Sequence, residues 1–67
     1  MELSARNQLQ GTVKEVKLGS IMAEVTVDIG GQEVVSAITR TSAERLQLQA
    51  GDRVTVIIKS TDVMLGK

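Results

Sequence analysis

The sequence predicts an all-β domain, and three observations carry that prediction. Between Ile21 and Ile29 the odd positions Ile21, Ala23, Val25, Val27 and Ile29 are apolar, with Glu24, Thr26 and Asp28 set between them. Period two sustained over such a length is the signature of a half-buried strand. Gly30-Gly31 follows at once, a pair suited to a tight hairpin turn that needs positive φ. Helical signals are confined to one short stretch, Thr41 to Glu44, where Thr and a Glu three residues later make a capping box.

The remaining elements follow in order. Leu9 to Leu18 reads as a first strand with a flaw, because Leu9 and Val13 share one phase while Val16 and Leu18 occupy the other. A bulge near Lys14-Glu15 reconciles the two phases, and barrels use such bends to close. Leu18-Gly19-Ser20 turns into the second strand, and Gln32 to Arg40 returns as the third. The short helix opens at Thr41, Leu46 and Leu48 pack behind it, and Ala50-Gly51-Asp52 turns the chain again. Arg53 to Lys59 is the fourth strand, with Val54, Val56 and Ile58 on one face and Ile57 on the other. Thr61 to Leu65 is expected as a short fifth strand. Five strands with one short helix between strands 3 and 4 define an OB-like Greek-key barrel, a single domain over residues 1–67.

A chain of 67 residues has little interior to fill. Domains this small commonly rely on disulfides, a metal or oligomerisation. Cysteine and histidine are both absent, which removes disulfides and the common zinc sites. Aromatic residues are absent too, so no single side chain contributes the roughly 150–250 Å² that a Phe or Trp would bury. Oligomerisation is the remedy left.

Several function classes lose ground on the same facts. Without His or Cys the usual general base and thiol nucleophile are missing, and the carboxylates are scattered, so no enzyme is expected. OB barrels often bind single strands through a basic groove and aromatic stacking platforms. Here there is no aromatic, and eight basic residues balance eight acidic ones, so no nucleic-acid partner is expected. The sequence shows neither a signal-peptide pattern nor an apolar run of about 18 residues, so no membrane partner is expected and the cytoplasm is the expected location.

Three short polar clusters remain: Ser4-Ala5-Arg6-Asn7 before the first strand, Thr39-Arg40-Thr41-Ser42 where a strand gives way to the helix, and Lys59-Ser60-Thr61 after the fourth strand. Each alone reads as solvated surface or a helix cap. Together they hold hydroxyls and cations with no carboxylate among them. Arg6 offers two parallel hydrogen bonds to a tetrahedral oxyanion, Lys59 a point charge, and Ser42 a place in the first helical turn. Two cations neutralise a dianion. Such a set favours an oxyanion that is fully ionised at neutral pH over phosphate, whose remaining proton wants an acceptor.

Ser4-Ala5-Arg6-Asn7-Gln8-Leu9, Ser36-Ala37-Ile38-Thr39 and Lys59-Ser60-Thr61-Asp62-Val63-Met64 resemble the Mop-type molbindins, and the resemblance extends over essentially the whole chain. It implies an OB-like barrel assembled as a homohexamer, a trimer of dimers, that binds molybdate or tungstate at subunit interfaces. It implies storage or buffering of the oxyanion, with no further cofactor and no coordinated metal cation. By similarity Ser4, Arg6, Thr39, Ser42, Lys59 and Ser60 match oxyanion-contacting positions, with Ala5 contributing through its backbone. The alternative is an interaction barrel that binds no oxyanion.

Overall fold

In the computed structural model, which describes residues 1–67, the alternating segment and its neighbours form an antiparallel meander. Its strands are β1 (Asn7–Leu18), β2 (Met22–Asp28) and β3 (Glu33–Thr39); a short helix α1 (Arg40–Arg45) follows, and β4 (Arg53–Ile58) returns to the sheet. The spatial order is β3-β2-β1-β4. A last strand returning beside the first is the Greek-key arrangement, as expected.

β1 is the strand that both halves of the sheet share. Asn7 to Thr12 pair with β4, and Thr12 to Leu18 pair with β2. The register shifts between Val13 and Glu15, so Lys14 is the extra residue of a bulge at the expected place. The extra residue restores the phase: Val13 is buried, and Val16 beyond the bulge also packs against the core. Val13 keeps its own backbone satisfied through the turn before β4. Its N–H donates to the Asp52 carbonyl and its carbonyl accepts from the Gly51 N–H, both at 2.8 Å.

Val13, Val25 and Val27 form the centre of the core, wrapped by Val16, Ile29, Ile38, Leu48, Val54 and Val56. Ala23 is buried on the same face of β2, and Ala43 is the buried residue of α1. The β2–β3 turn closes with Gly30 and Gly31 at φ of 102° and 98°, and the Ile29 N–H donates to the Gln32 carbonyl at 2.8 Å. Asp28 Oδ1 accepts from the N–H of both glycines at 2.9 Å.

Two expectations are corrected. The fifth strand is absent: Ser60–Asp62 forms a 3₁₀ turn instead, and the tail beyond it pairs with no strand. The turn is closed by the Asp62 N–H on the Lys59 carbonyl at 2.9 Å. A strand exists only where an edge receives it, and this turn carries the tail off the sheet, leaving Met64 and Leu65 over nine-tenths exposed. The barrel is therefore a curled sheet of four strands, unclosed within one chain. Second, the cap of α1 is Thr39 rather than Thr41. The helix begins directly at the end of β3, and Glu44 pairs with Arg40 one turn earlier instead of reaching back to a cap.

Gly11 sits in β1 where the hairpin crosses it. A Cβ there would lie 2.5 Å from Val27 Cγ1, 2.8 Å from the Asp28 carbonyl oxygen and 3.1 Å from Ile29 Cγ2. Two of these three neighbours are side chains of the core or its shell, and the third is backbone. Gly11→Ala should therefore destabilise the fold by about 1–3 kcal/mol, the usual cost of overpacking, as read by urea denaturation. Gly66→Ala, with nothing within 4 Å, should leave the midpoint unmoved.

The Asp28 carboxyl is held below its ordinary value of 3.8, first by the Gly31 N–H and then by the Gly30 N–H. A group whose pKa falls on folding adds stability above its unfolded pKa and loses it as pH drops through the folded pKa. Wild type should therefore melt above Asp28→Ala at neutral pH. The gap should narrow as pH falls below about 4. A gap that stays constant down to strong acid would show that the ionised carboxylate contributes nothing.

Candidate anion-binding site

Ladder register decides which polar clusters meet. Asn7 pairs with Ile58, so the residues just before β1 lie beside those just after β4. Ser4, Ala5, Lys59, Ser60 and Thr61 line one open cleft of about 600 Å³, walled by Leu3 and Ile57. The first and third clusters, at opposite ends of the sequence, are thus one group in space. Arg6 follows Ala5 directly and is exposed, outside the lining. The ion pairs of the chain are Lys14–Glu33, Lys17–Glu15 and Arg40–Glu44. Arg6 and Lys59 belong to none of them. The Ala5 carbonyl accepts from Gln8 Nε2 at 2.7 Å.

Thr39 and Ser42 form a second group at the junction of β3 and α1. The Thr39 hydroxyl accepts from the Ser42 N–H at 3.1 Å and donates to Ser42 Oγ at 2.8 Å. The Ser42 N–H is consumed by the cap. The two hydroxyls share one hydrogen bond, which leaves one hydroxyl hydrogen of the pair available as a donor. Arg40 is committed elsewhere, to the Gly19 carbonyl at 3.2 Å and to Glu44.

The two groups stand apart. Thr39 pairs with Met22, beside the Leu18–Ala23 pair at the far end of β1. Lys59 follows Ile58, opposite Asn7 at its near end. Roughly 35 Å of strand contour separates the ends, at ~3.3 Å per residue. No cavity is lined by residues of both. One chain therefore presents two donor groups facing different regions.

Sequence reasoning missed Asp62, which lines the same cleft as Lys59. The 3₁₀ turn brings it there, and Ser-Thr-Asp after a strand is turn-forming chemistry. Reading those residues as a strand hid the signal. The expectation of clusters free of carboxylate holds for their own residues but not for the cleft they form.

A curled Greek-key sheet with donor-rich ends places the chain among small ligand-binding β-modules. Residues 3–65 match the TOBE domain family, a family of binding rather than catalytic function. Molybdenum-pterin-binding protein 3 of Clostridium pasteurianum is 50% identical over 66 residues, covering 97% of each chain. The solved molybdate-binding protein from Sporomusa ovata superimposes with a TM-score of 0.95 at 43% identity, covering both chains completely. ModG, a cytoplasmic molybdate-binding protein solved with molybdate bound, gives a TM-score of 0.84 at 36% identity, over 97% of this chain and 53% of its own. The chain belongs to the TOBE family and, within it, to the molybdenum-pterin-binding proteins, the Mop-type group that its three motifs resemble.

The double role of Thr39 is open to test. Thr39→Val keeps the shape but removes the cap, and should cost about 1 kcal/mol of stability. Thr39→Ser should restore most of the loss in thermal denaturation. Equal melting of all three proteins would remove Thr39 from the cap.

Proposed function

We propose that this protein binds molybdate or tungstate as an intact tetrahedral dianion, at sites shared between subunits of a homo-oligomer, and so stores or buffers the oxyanion in the cytoplasm. One observation carries the reading: the donor groups predicted to hold the anion lie at opposite ends of β1, with Arg6 and Lys59 free of ion pairs. A site uniting them takes Ser4, Ala5, Arg6, Lys59 and Ser60 from one subunit. Thr39 and Ser42 come from its neighbour. Arg6 gives paired hydrogen bonds, Lys59 charge, Ala5 its N–H, and Ser4, Ser60 and Ser42 single hydroxyl donors; Thr39 acts by holding Ser42.

Assembly is supported by how little one chain buries. Only 6 of 67 residues are buried, while Val35, Leu46, Ile57, Met64 and Leu65 are all exposed. The outer edges of β3 and β4 are unpaired as well. The hexamer, three dimers around an axis, is the state the resemblance implies. The molybdate-bound relative ModG supports the ligand and, being cytoplasmic, the location; no helix here is long and apolar enough to cross a membrane. Names of relatives include a pterin, but this chain has no aromatic ring to stack on one. The reading therefore takes the oxyanion alone as ligand, with no cofactor, no coordinated metal ion, no nucleic acid and no membrane partner.

Calorimetric titration with molybdate tests the ligand, and lack of binding would leave the interaction-barrel reading. Shared sites are tested by complementation. Arg6→Ala removes a cation. Ser42→Asp puts a negative charge beside the anion, yet its carboxylate still accepts from the Thr39 hydroxyl and suits an early helical position, so folding survives. Each variant alone should bind poorly. Co-refolded in equal amounts, with mixing verified by native mass spectrometry, about a quarter of the sites should be wholly wild type and recover normal affinity. A folded 7.2 kDa monomer, or no recovery after mixing, would overturn the shared-site model.

A further inference from the structure

Asp62 is the one acid lining the cleft. It lines the same space as Lys59, Ser4, Ser60 and Thr61. Its N–H closes the 3₁₀ turn on the Lys59 carbonyl at 2.9 Å. Asp62 is nevertheless a member of none of the chain's ion pairs, and its carboxylate accepts none of the side-chain hydrogen bonds. An exposed acid that lines the same cleft as Lys59 acts through its charge on an anion that enters there.

We propose that Asp62 is a specificity-determining residue of the oxyanion site, setting the balance between fully ionised oxyanions and those that retain a proton. This rests on the oxyanion reading above. The carboxylate repels a dianion such as molybdate, weakening it below what the donors alone would give. The same carboxylate accepts a hydrogen bond from an oxyanion that carries a proton, as phosphate does at neutral pH. Asp62 therefore narrows the preference for molybdate over phosphate that the hydroxyls and cations create. It trades affinity for the full dianion against tolerance of protonated ones.

Asp62→Asn removes the charge while keeping size, and the side chain takes no hydrogen bond that folding would lose. Calorimetry with molybdate and with inorganic phosphate, at one neutral pH and one ionic strength, reads the effect. Molybdate should bind about three- to tenfold more tightly, the size expected of one unit charge some 6–10 Å from a dianion in a wet cleft. Phosphate should gain less or weaken, so that the ratio of affinities widens. Asp62→Glu should behave like wild type. Glu24→Gln, an exposed acid on β2 outside both donor groups, controls for net charge and should shift neither ligand by as much as twofold. If Asp62→Asn matches wild type, matches Glu24→Gln, or binds molybdate more weakly, the proposal falls while the oxyanion reading stands. If wild type itself binds no molybdate, the underlying reading fails first.

Discussion

The bend in β1 at Lys14 is the constraint on which the rest of the molecule depends. A strand can present two partners to one core only if its inward face survives the change of direction, and the alternation of residues 9–18 breaks phase midway. Inserting Lys14 as an unpaired residue lets Val13 and Val16 both reach the core. It also divides the ladder, so that β4 takes the first half of β1 and β2 the second. The Gly51 and Asp52 backbone covers Val13 at the division, which spares the bend the cost of unpaired buried groups. Pairing Asn7 with Ile58 then brings residues 4 and 5 against 59–61, and pairing Met22 with Thr39 sends the other donors to the opposite end. Site geometry is a consequence of strand register.

Much of this is legible in the sequence because a sheet is governed by local periodicity. Val25 and Val27 alternate with polar neighbours, Gly30-Gly31 announces positive φ, and the phase break at residues 13–16 announces the bulge. What escapes is decided by neighbours that the local pattern does not contain. The stretch from Thr61 to Leu65 has strand-like composition, but pairing is a property of an edge, and the turn at Ser60–Asp62 leads away from the available ones. Thr39 and Thr41 are equally good caps on paper. The contest is settled by where β3 ends, since Thr39 already has the extended backbone an N-cap requires (φ −69°, ψ 149°). The candidate site residues stand out in the sequence as types and as family motifs, and sharing between subunits is expected of them. That their two groups lie at opposite ends of β1 within one chain was not legible, because it follows from register.

Ligand and assembly are linked if the site is shared. The single chain has a core of a few valines and alanines and an open seam between β3 and β4, where Ser36 and Ile38 face Val54 and Val56 across a small cavity of about 180 Å³. Such a chain gains stability from any contact that covers its apolar edges. An anion held by groups of two subunits binds the assembled state and not the separated one, so it adds to the association free energy by mass action. The converse holds equally: subunits already held together present the second donor group at no further entropic cost.

The Thr39–Ser42 pair shows how little the protein must add to make such a site selective. A serine hydroxyl left to itself rotates and can accept as readily as it donates. Thr39 accepts the Ser42 N–H to start the helix, and the same oxygen's hydrogen is then spent on Ser42 Oγ. One hydroxyl hydrogen of the pair is left over, and the chain of hydrogen bonds strengthens it as a donor. A residue required for the fold also restrains the hydroxyl beside it. In the proposed site part of the ordering is thus done before the anion arrives. In the proposed shared site Asp62 acts in the opposite sense, an acceptor among donors. The preference of that proposed site is the difference between these two influences, both of which follow from turns at the ends of strands.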